Sequence, residues 1–120
     1  MEHRILAAGS NAAAEPDSPQ AVAVTKAEDY SRIWGQTIGG GSPPEVDFAK
    51  ESVVILLAGQ RRTGGYRVGP RGASLDGRTL VIDAAVHGPP PDAIVTQALT
   101  SPWAVIAVST KAFDDVRWTP

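Results

Sequence analysis

Two stretches of this chain are apolar at every position: Val53-Val54-Ile55-Leu56-Leu57-Ala58 and Ala104-Val105-Ile106-Ala107-Val108. A strand with one wet face alternates apolar and polar residues, whereas a strand covered on both faces does not. The valines and isoleucine, with Gly59 just beyond, favour strand over helix. Residues 52–58 are therefore expected to form the central strand, with 102–109 pairing near it. Elsewhere the pattern alternates. Tyr66-Arg67-Val68 precedes Gly69-Pro70, and Thr79 to Val86 places Leu80, Ile82, Ala84 and Val86 on one side. The Asp76-Gly77 pair between them predicts a β-hairpin over 66–86. Shorter strands are expected at 5–8, 21–24 and 116–118. Residues 94–99 fit a short strand or a helical turn equally well.

A helical period occurs once. Tyr30, Ile33, Trp34 and Ile38 predict an amphipathic helix over 26–38 with one face on a sheet, and Thr25 with Glu28 has the spacing of a capping box. Gly39-Gly40-Gly41 ends the helix, and Ser42-Pro43-Pro44 prevents its resumption. The sum is an α+β fold, predominantly antiparallel β: a small sandwich or partly open barrel of five to seven strands with one N-terminal amphipathic helix. The 120 residues suffice for a single domain over 1–120. Within it, 1–20 reads as a partly irregular N-terminal segment and 109–120 as carrying a terminal strand.

Composition narrows the function more than the fold. With 42% hydrophobic and 20% charged residues the chain is an ordinary globular one, and a net charge of −2 argues against a protein built as a whole to coat nucleic acid. No cysteine is present, which removes disulfides, thiol nucleophiles and Cys-ligated metals. The apolar run Ile5-Leu6-Ala7-Ala8 is too short for a signal-peptide core or a bilayer span. As written the chain reads as soluble and cytoplasmic, and as extracytoplasmic if a leader has been removed.

The unusual segment is Gly59-Gln60-Arg61-Arg62-Thr63-Gly64-Gly65-Tyr66-Arg67-Val68. Arg61, Arg62, Arg67, Arg71 and Arg78 are five of the eight arginines, and Asp76 is the only acidic residue from 61 to 78. Glycines 59 and 64 have the spacing of a phosphate cradle, but Gly65 and Tyr66 stand where lysine and then serine or threonine are required. Arginines interleaved with Tyr66 are a candidate RNA or anion contact, opposed by the acidic total. Asp83, His87 and Asp92 are the one candidate metal set, and strand spacing separates the first two. Ser101 and Thr63 are nucleophile-capable with His87 as the only plausible base, and no elbow motif surrounds either. Asp114-Asp115 reads as a turn. No catalytic residue, metal or cofactor is assigned. Gly64-Gly65 also fits a tight hairpin turn or bulge that needs positive φ. Trp34, Trp103 and Trp118 read as core, although Trp103, after Ser101-Pro102 at the mouth of a strand, has a place from which an indole can anchor a partner.

Several segments in order carry a resemblance: Pro44-Glu45-Val46-Asp47-Phe48, Val53 to Gly59, Thr63-Gly64-Gly65-Tyr66, Pro89-Pro90-Pro91, and Gln97-Ala98-Leu99-Thr100-Ser101-Pro102. Together with the helix carrying Ile33-Trp34, they resemble the PrcB C-terminal domain family over about 21–108. The name-giving member of that family is an accessory subunit of a bacterial surface protease complex. The resemblance implies a noncatalytic domain that binds another protein, a protease or its complex. Relatives of this kind are often exported or lipid-anchored. Thr63-Gly64 and Pro102-Trp103 are also similar to parts of the contact loops of chagasin-type cysteine-protease inhibitors, without the Asn-Pro-Thr start and with Ser101 where those have arginine. The expected contact surface is Arg61, Arg62, Thr63, Gly64, Gly65, Tyr66 and Arg67, joined by Ser101, Pro102 and Trp103. Protease inhibition and RNA or anion binding are the alternatives.

Overall fold

Ser52 to Leu57 forms a strand in which every residue is buried. The computed structural model describes residues 1–119. Among them the elements follow as β1 (His3–Gly9), β2 (Gln20–Val24), α1 (Ala27–Thr37), β3 (Ser52–Leu57), β4 (Arg67–Asp76), β5 (Thr79–His87), β6 (Trp103–Val108) and β7 (Asp115–Thr119). One sheet has the order β1-β6-β3-β2 and is antiparallel throughout. A second has the order β4-β5-β7, in which β4 and β5 form the antiparallel hairpin and β7 runs parallel to β5. The described strands form two separate, unclosed sheets.

The unbroken apolar run of β3 has a direct cause. Val53, Ile55 and Leu57, with Val105 of β6, pack against Tyr30, Trp34 and Ile38 of the helix layer. Val54 and Leu56, with Ala104, Ile106 and Val108 of β6, pack against Val68, Leu80, Ile82 and Ala84 of the second sheet. Odd positions meet the helix and even positions meet the other sheet, so a polar residue at any of 53–57 would be buried among apolar side chains.

The helix spans the expected residues within one position at each end. Its start differs in kind. Lys26 is the N-cap, in extended conformation and with no side-chain capping bond, so the expected Thr25–Glu28 box does not form. Packing positions the helix instead. The Tyr30 hydroxyl donates to the Pro44 carbonyl at 2.8 Å, and the Trp34 indole donates to the Gly40 carbonyl at 2.9 Å. Tyr30 meets Phe48 edge-on with centroids 5.2 Å apart, and Trp34 meets Trp103 edge-on at 5.9 Å. Burial pushes the Tyr30 phenol up from its ordinary range, while the Arg4 charge opposes the shift.

The hairpin expected over 66–86 forms, with β4 running through Gly69-Pro70 to Asp76: β4 is an edge strand where proline costs no ladder bond, and a bulge between Pro70 and Gly72 follows. Two expectations are revised. Residues 94–99 form neither strand nor helix. The last strand does lie at an edge, but parallel to its neighbour, with the Trp118 indole donating to the Ala84 carbonyl at 2.8 Å.

Arg4 of β1 reaches past β6 to Glu51, just before β3, with Nε to Oε2 at 3.2 Å and Nη2 to Oε1 at 3.0 Å. The hydrogen bond from Arg4, aided by its charge, holds the Glu51 carboxyl below its ordinary value of 4.5. A carboxylate lowered on folding stabilises the native state above its unfolded value and loses that contribution as pH falls through the folded value. Wild type should therefore be more stable than Glu51→Gln at neutral pH, by a margin that shrinks below about pH 4.5; urea midpoints measured across that range check this. In the same assay Leu56→Ala should cost about 2–5 kcal/mol by leaving a core cavity, and the exposed Ile5→Ala within about 0.5 kcal/mol.

Candidate protein-binding loops

The segment after β3 does not make a hairpin turn. β3 and β4 belong to different sheets, so residues 58–66 are a crossover between layers. The crossover starts as a continuation of the β3–β6 ladder. Ala58 N–H donates to the Pro102 carbonyl at 3.0 Å, and Arg61 and Thr100 exchange both backbone bonds, at 2.7 and 2.9 Å. The Thr100 hydroxyl donates to the Thr63 carbonyl at 2.8 Å, and Gly64 N–H donates to the Thr96 carbonyl at 3.0 Å. The crossover and the proline-rich loop 88–100 are thus laced into one unit.

Both glycines are required by that lacing. Gly65 has φ +86, and a Cβ there would lie 2.9 Å from both the Pro89 Cβ and the Val95 Cγ1. At Gly64 a Cβ would lie 2.5 Å from the Thr96 hydroxyl oxygen. The Arg61 guanidinium turns inward, donating to the Ala58 carbonyl at 3.2 Å and lying 5.6 Å from the centroid of the Tyr66 ring. Tyr66 is half-buried, and Gly88 packs close against its ring, where a Cβ would lie 3.2 Å from the Tyr66 Cε1. Thr63 is half-buried, and its hydroxyl donates to the Gly64 carbonyl at 3.0 Å. Of the expected contact residues in this segment, Arg62, Gly65 and Arg67 are exposed.

Ser101 and Pro102 are buried, so their side chains offer nothing to a partner. The Ser101 hydroxyl donates to Glu15 Oε1 at 2.9 Å, and Gln60 Nε2 holds the other oxygen at 3.0 Å. This fixes a carboxylate beside the serine but brings no imidazole to it. Trp103 is half-buried, with its indole against Trp34 and under Gly9, where a Cβ would lie 2.7 Å from its Nε1. The Pro-Trp part of the similarity to chagasin-type inhibitors is therefore turned into the core. Among the described residues, no three of His, Asp and Glu converge as metal ligands. Asp83 instead pairs with Arg71 at 2.6 Å.

The locally basic middle of the sequence is partly neutralised in space. Arg71 pairs with Asp83, and Arg78 takes Asp114 in a two-bond contact at 2.5 and 2.9 Å. That contact holds the Asp114 carboxyl below its ordinary range, chiefly through the hydrogen bond. Arg4, Arg32 and Arg117 also have acidic partners, leaving Arg61, Arg62 and Arg67 as the three arginines without one among the described residues. All three lie in the crossover or at its end. The same unit displays Ile94, fully exposed, and Leu99, more than half exposed. Sequence reasoning missed this pair by assigning 94–99 to a regular element; its signal was an apolar residue beside Pro89-Pro90-Pro91 with no period to bury it. Elsewhere an open cleft of about 500 Å³ is lined by Glu2, His3, Arg4, Glu51 and Ser109, and its Arg4 and Glu51 charges already satisfy each other.

Gly65→Ala should destabilise the fold by about 1–3 kcal/mol, because left-handed φ and steric overlap add. Gly77→Ala, with φ +59 and open space around it, should cost only about 1 kcal/mol. Chemical denaturation of the two variants checks the order, and equal losses would mean that the loop contacts are soft.

In comparison with known proteins, residues 52–109 match the family described as PrcB C-terminal. No curated protein and no solved structure matches the chain. The matched segment runs from β3 through β6 and contains both laced loops.

Proposed function

Because the chain belongs, through residues 52–109, to the PrcB C-terminal family, we propose that it is a noncatalytic protein-binding domain that acts as an accessory or stabilising element of a protease complex. The observation that carries this reading is the laced crossover, which holds exposed Arg62, Gly65 and Arg67 on a frame fastened at Arg61, Thr63 and Gly64. A contact surface fixed before binding loses less conformational freedom on association, so modest contacts yield useful affinity. A noncatalytic role agrees with the state of the two nucleophile candidates: the Ser101 hydroxyl is buried on a carboxylate, and the Thr63 hydroxyl is spent on its neighbour's carbonyl.

The proposal has consequences for how it is tested. Gly65→Ala perturbs the frame and so cannot report on contact alone. Arg62→Ala/Arg67→Ala alters exposed groups only. In a pull-down from native extract, that double variant should lose roughly tenfold in recovery of a protease or protease-associated protein, the effect of two contacts of about 0.7 kcal/mol each. Arg32→Ala, an ion-paired surface arginine remote in sequence from the crossover, should recover as much as wild type. Equal recovery of every partner by all three proteins would remove the loop from consideration.

A further inference from the structure

We infer that the laced loops recognise a protein segment that is both acidic and apolar, docking on Arg62, Arg67, Ile94 and Leu99. This rests on the protein-binding reading above and adds the chemistry of the partner. The first observation concerns charge. Among the described residues, five of the eight arginines have an acidic partner, and the three that do not are Arg61, Arg62 and Arg67. Arg61 is turned onto the Ala58 carbonyl and Tyr66. Two exposed guanidinium groups therefore remain unopposed on the crossover and at its end, where a carboxylate would make charge-assisted bonds.

The second observation is independent of charge. Of the exposed large hydrophobic residues, Ile94 is the most exposed and Leu99 the next, and both belong to the loop fastened to the arginine-bearing crossover. Ile94 is adjacent to Val95, which abuts Gly65, and Leu99 is adjacent to Thr100, which pairs with Arg61. Isolated exposed apolar residues need no explanation, but two on one short loop beside unpaired cations form an anchor with a charged rim.

The apolar pair also decides between macromolecules. Single-stranded nucleic acid is held by a charged groove together with open aromatic side chains on which successive bases stack. Tyr66 is half-buried with the Arg61 guanidinium already over its ring, so that face is not an open platform, and Ile94 and Leu99 have no π-face to offer. Aliphatic side chains beside arginines suit a peptide bearing Asp or Glu together with Leu, Ile or Phe.

A random-peptide display selection on the immobilised whole chain tests this, with wild type, Arg62→Glu/Arg67→Glu and Ile94→Ser/Leu99→Ser as baits. All four positions are exposed, so the folds should be preserved, which near-identical circular dichroism and melting temperature would establish. Wild type should enrich sequences that combine acidic with large apolar residues. The charge-reversed bait should enrich basic ones instead, and the serine bait should lose the apolar preference. A labelled peptide from the wild-type selection should bind roughly tenfold more weakly to either variant, and more weakly as salt rises. Wild-type enrichment of basic or uncharged sequences would overturn the inference, as would tighter binding of single-stranded RNA of equal length than of any selected peptide. If no acidic preference emerges while recovery from extract still depends on Arg62 and Arg67, the partner chemistry is wrong and the protein-binding reading stands. If that recovery is also unaffected, both fall.

Discussion

The burial of β3 on both faces is the constraint on which the rest of the structure depends. A strand with one wet face has its register set by polarity, since a slip of one residue would put its apolar side in water. β3 lacks that safeguard, because both of its faces are apolar and a slip would exchange one greasy surface for another. Register must then be held at the ends. At one end the Ser52 hydroxyl donates to the Thr110 carbonyl at 2.8 Å, and Glu51 takes Arg4 from β1. At the other, the ladder with β6 extends past the strand through Ala58–Pro102 and Arg61–Thr100. The crossover is thus an outgrowth of the central ladder. Its rigidity and the register of the core have the same hydrogen bonds as their source.

Charge distribution follows from the same constraint. With β3 and β6 carrying no ionic side chains, the charged residues lie on the other strands, the helix, the turns and the connections, where exposed pairs contribute little individually. Their arrangement matters more than their energy. Asp83 meets the bulge residue Arg71, Asp114 meets Arg78 across the foot of the β4–β5 hairpin, and Asp76 lies 3.8 Å from Arg117. Asp76, Asp83 and Asp114, of the second sheet and its flank, are taken by arginines of the same region, and none of these pairs reaches the crossover. The unopposed cations at Arg62 and Arg67 are what this pairing leaves over.

How much was legible in the sequence depended on whether a feature is local. The unbroken runs at 52–58 and 102–109 announced doubly covered neighbours, and Leu80, Ile82 and Ala84 announced the inner face of the hairpin. The helix was visible because its buried positions repeat at its own period. What was hidden depends on partners distant in the chain. Gly65 meets Pro89 and Val95, Pro102 vanishes beneath the ladder, and β7 joins β5 in parallel. Gly-Gly between two strands reads as a hairpin, and nothing nearby says that the strands belong to different sheets. The capping box failed for a subtler reason: its spacing was right, but the backbone stays extended through Lys26, so the helix begins too late for Thr25 to cap it.

The Thr63-Gly64-Gly65-Tyr66 motif acquires a different meaning from this geometry. The Thr63 carbonyl accepts the Thr100 hydroxyl, Gly64 seats Thr96, Gly65 seats Pro89 and Val95, and Tyr66 packs against both Arg61 and Gly88. Each of the four residues fastens one loop to another, and only Gly65 is exposed. The most recognisable residues of the segment are therefore fasteners, whereas the proposed contacts, Arg62, Arg67, Ile94 and Leu99, stand beside them without structural partners of comparable weight. Fastening and contact at separate positions allow the contacts to change with little strain on the frame. On that view the motif identifies the frame, and the partner is written in the unpaired arginines and the exposed aliphatic residues around it.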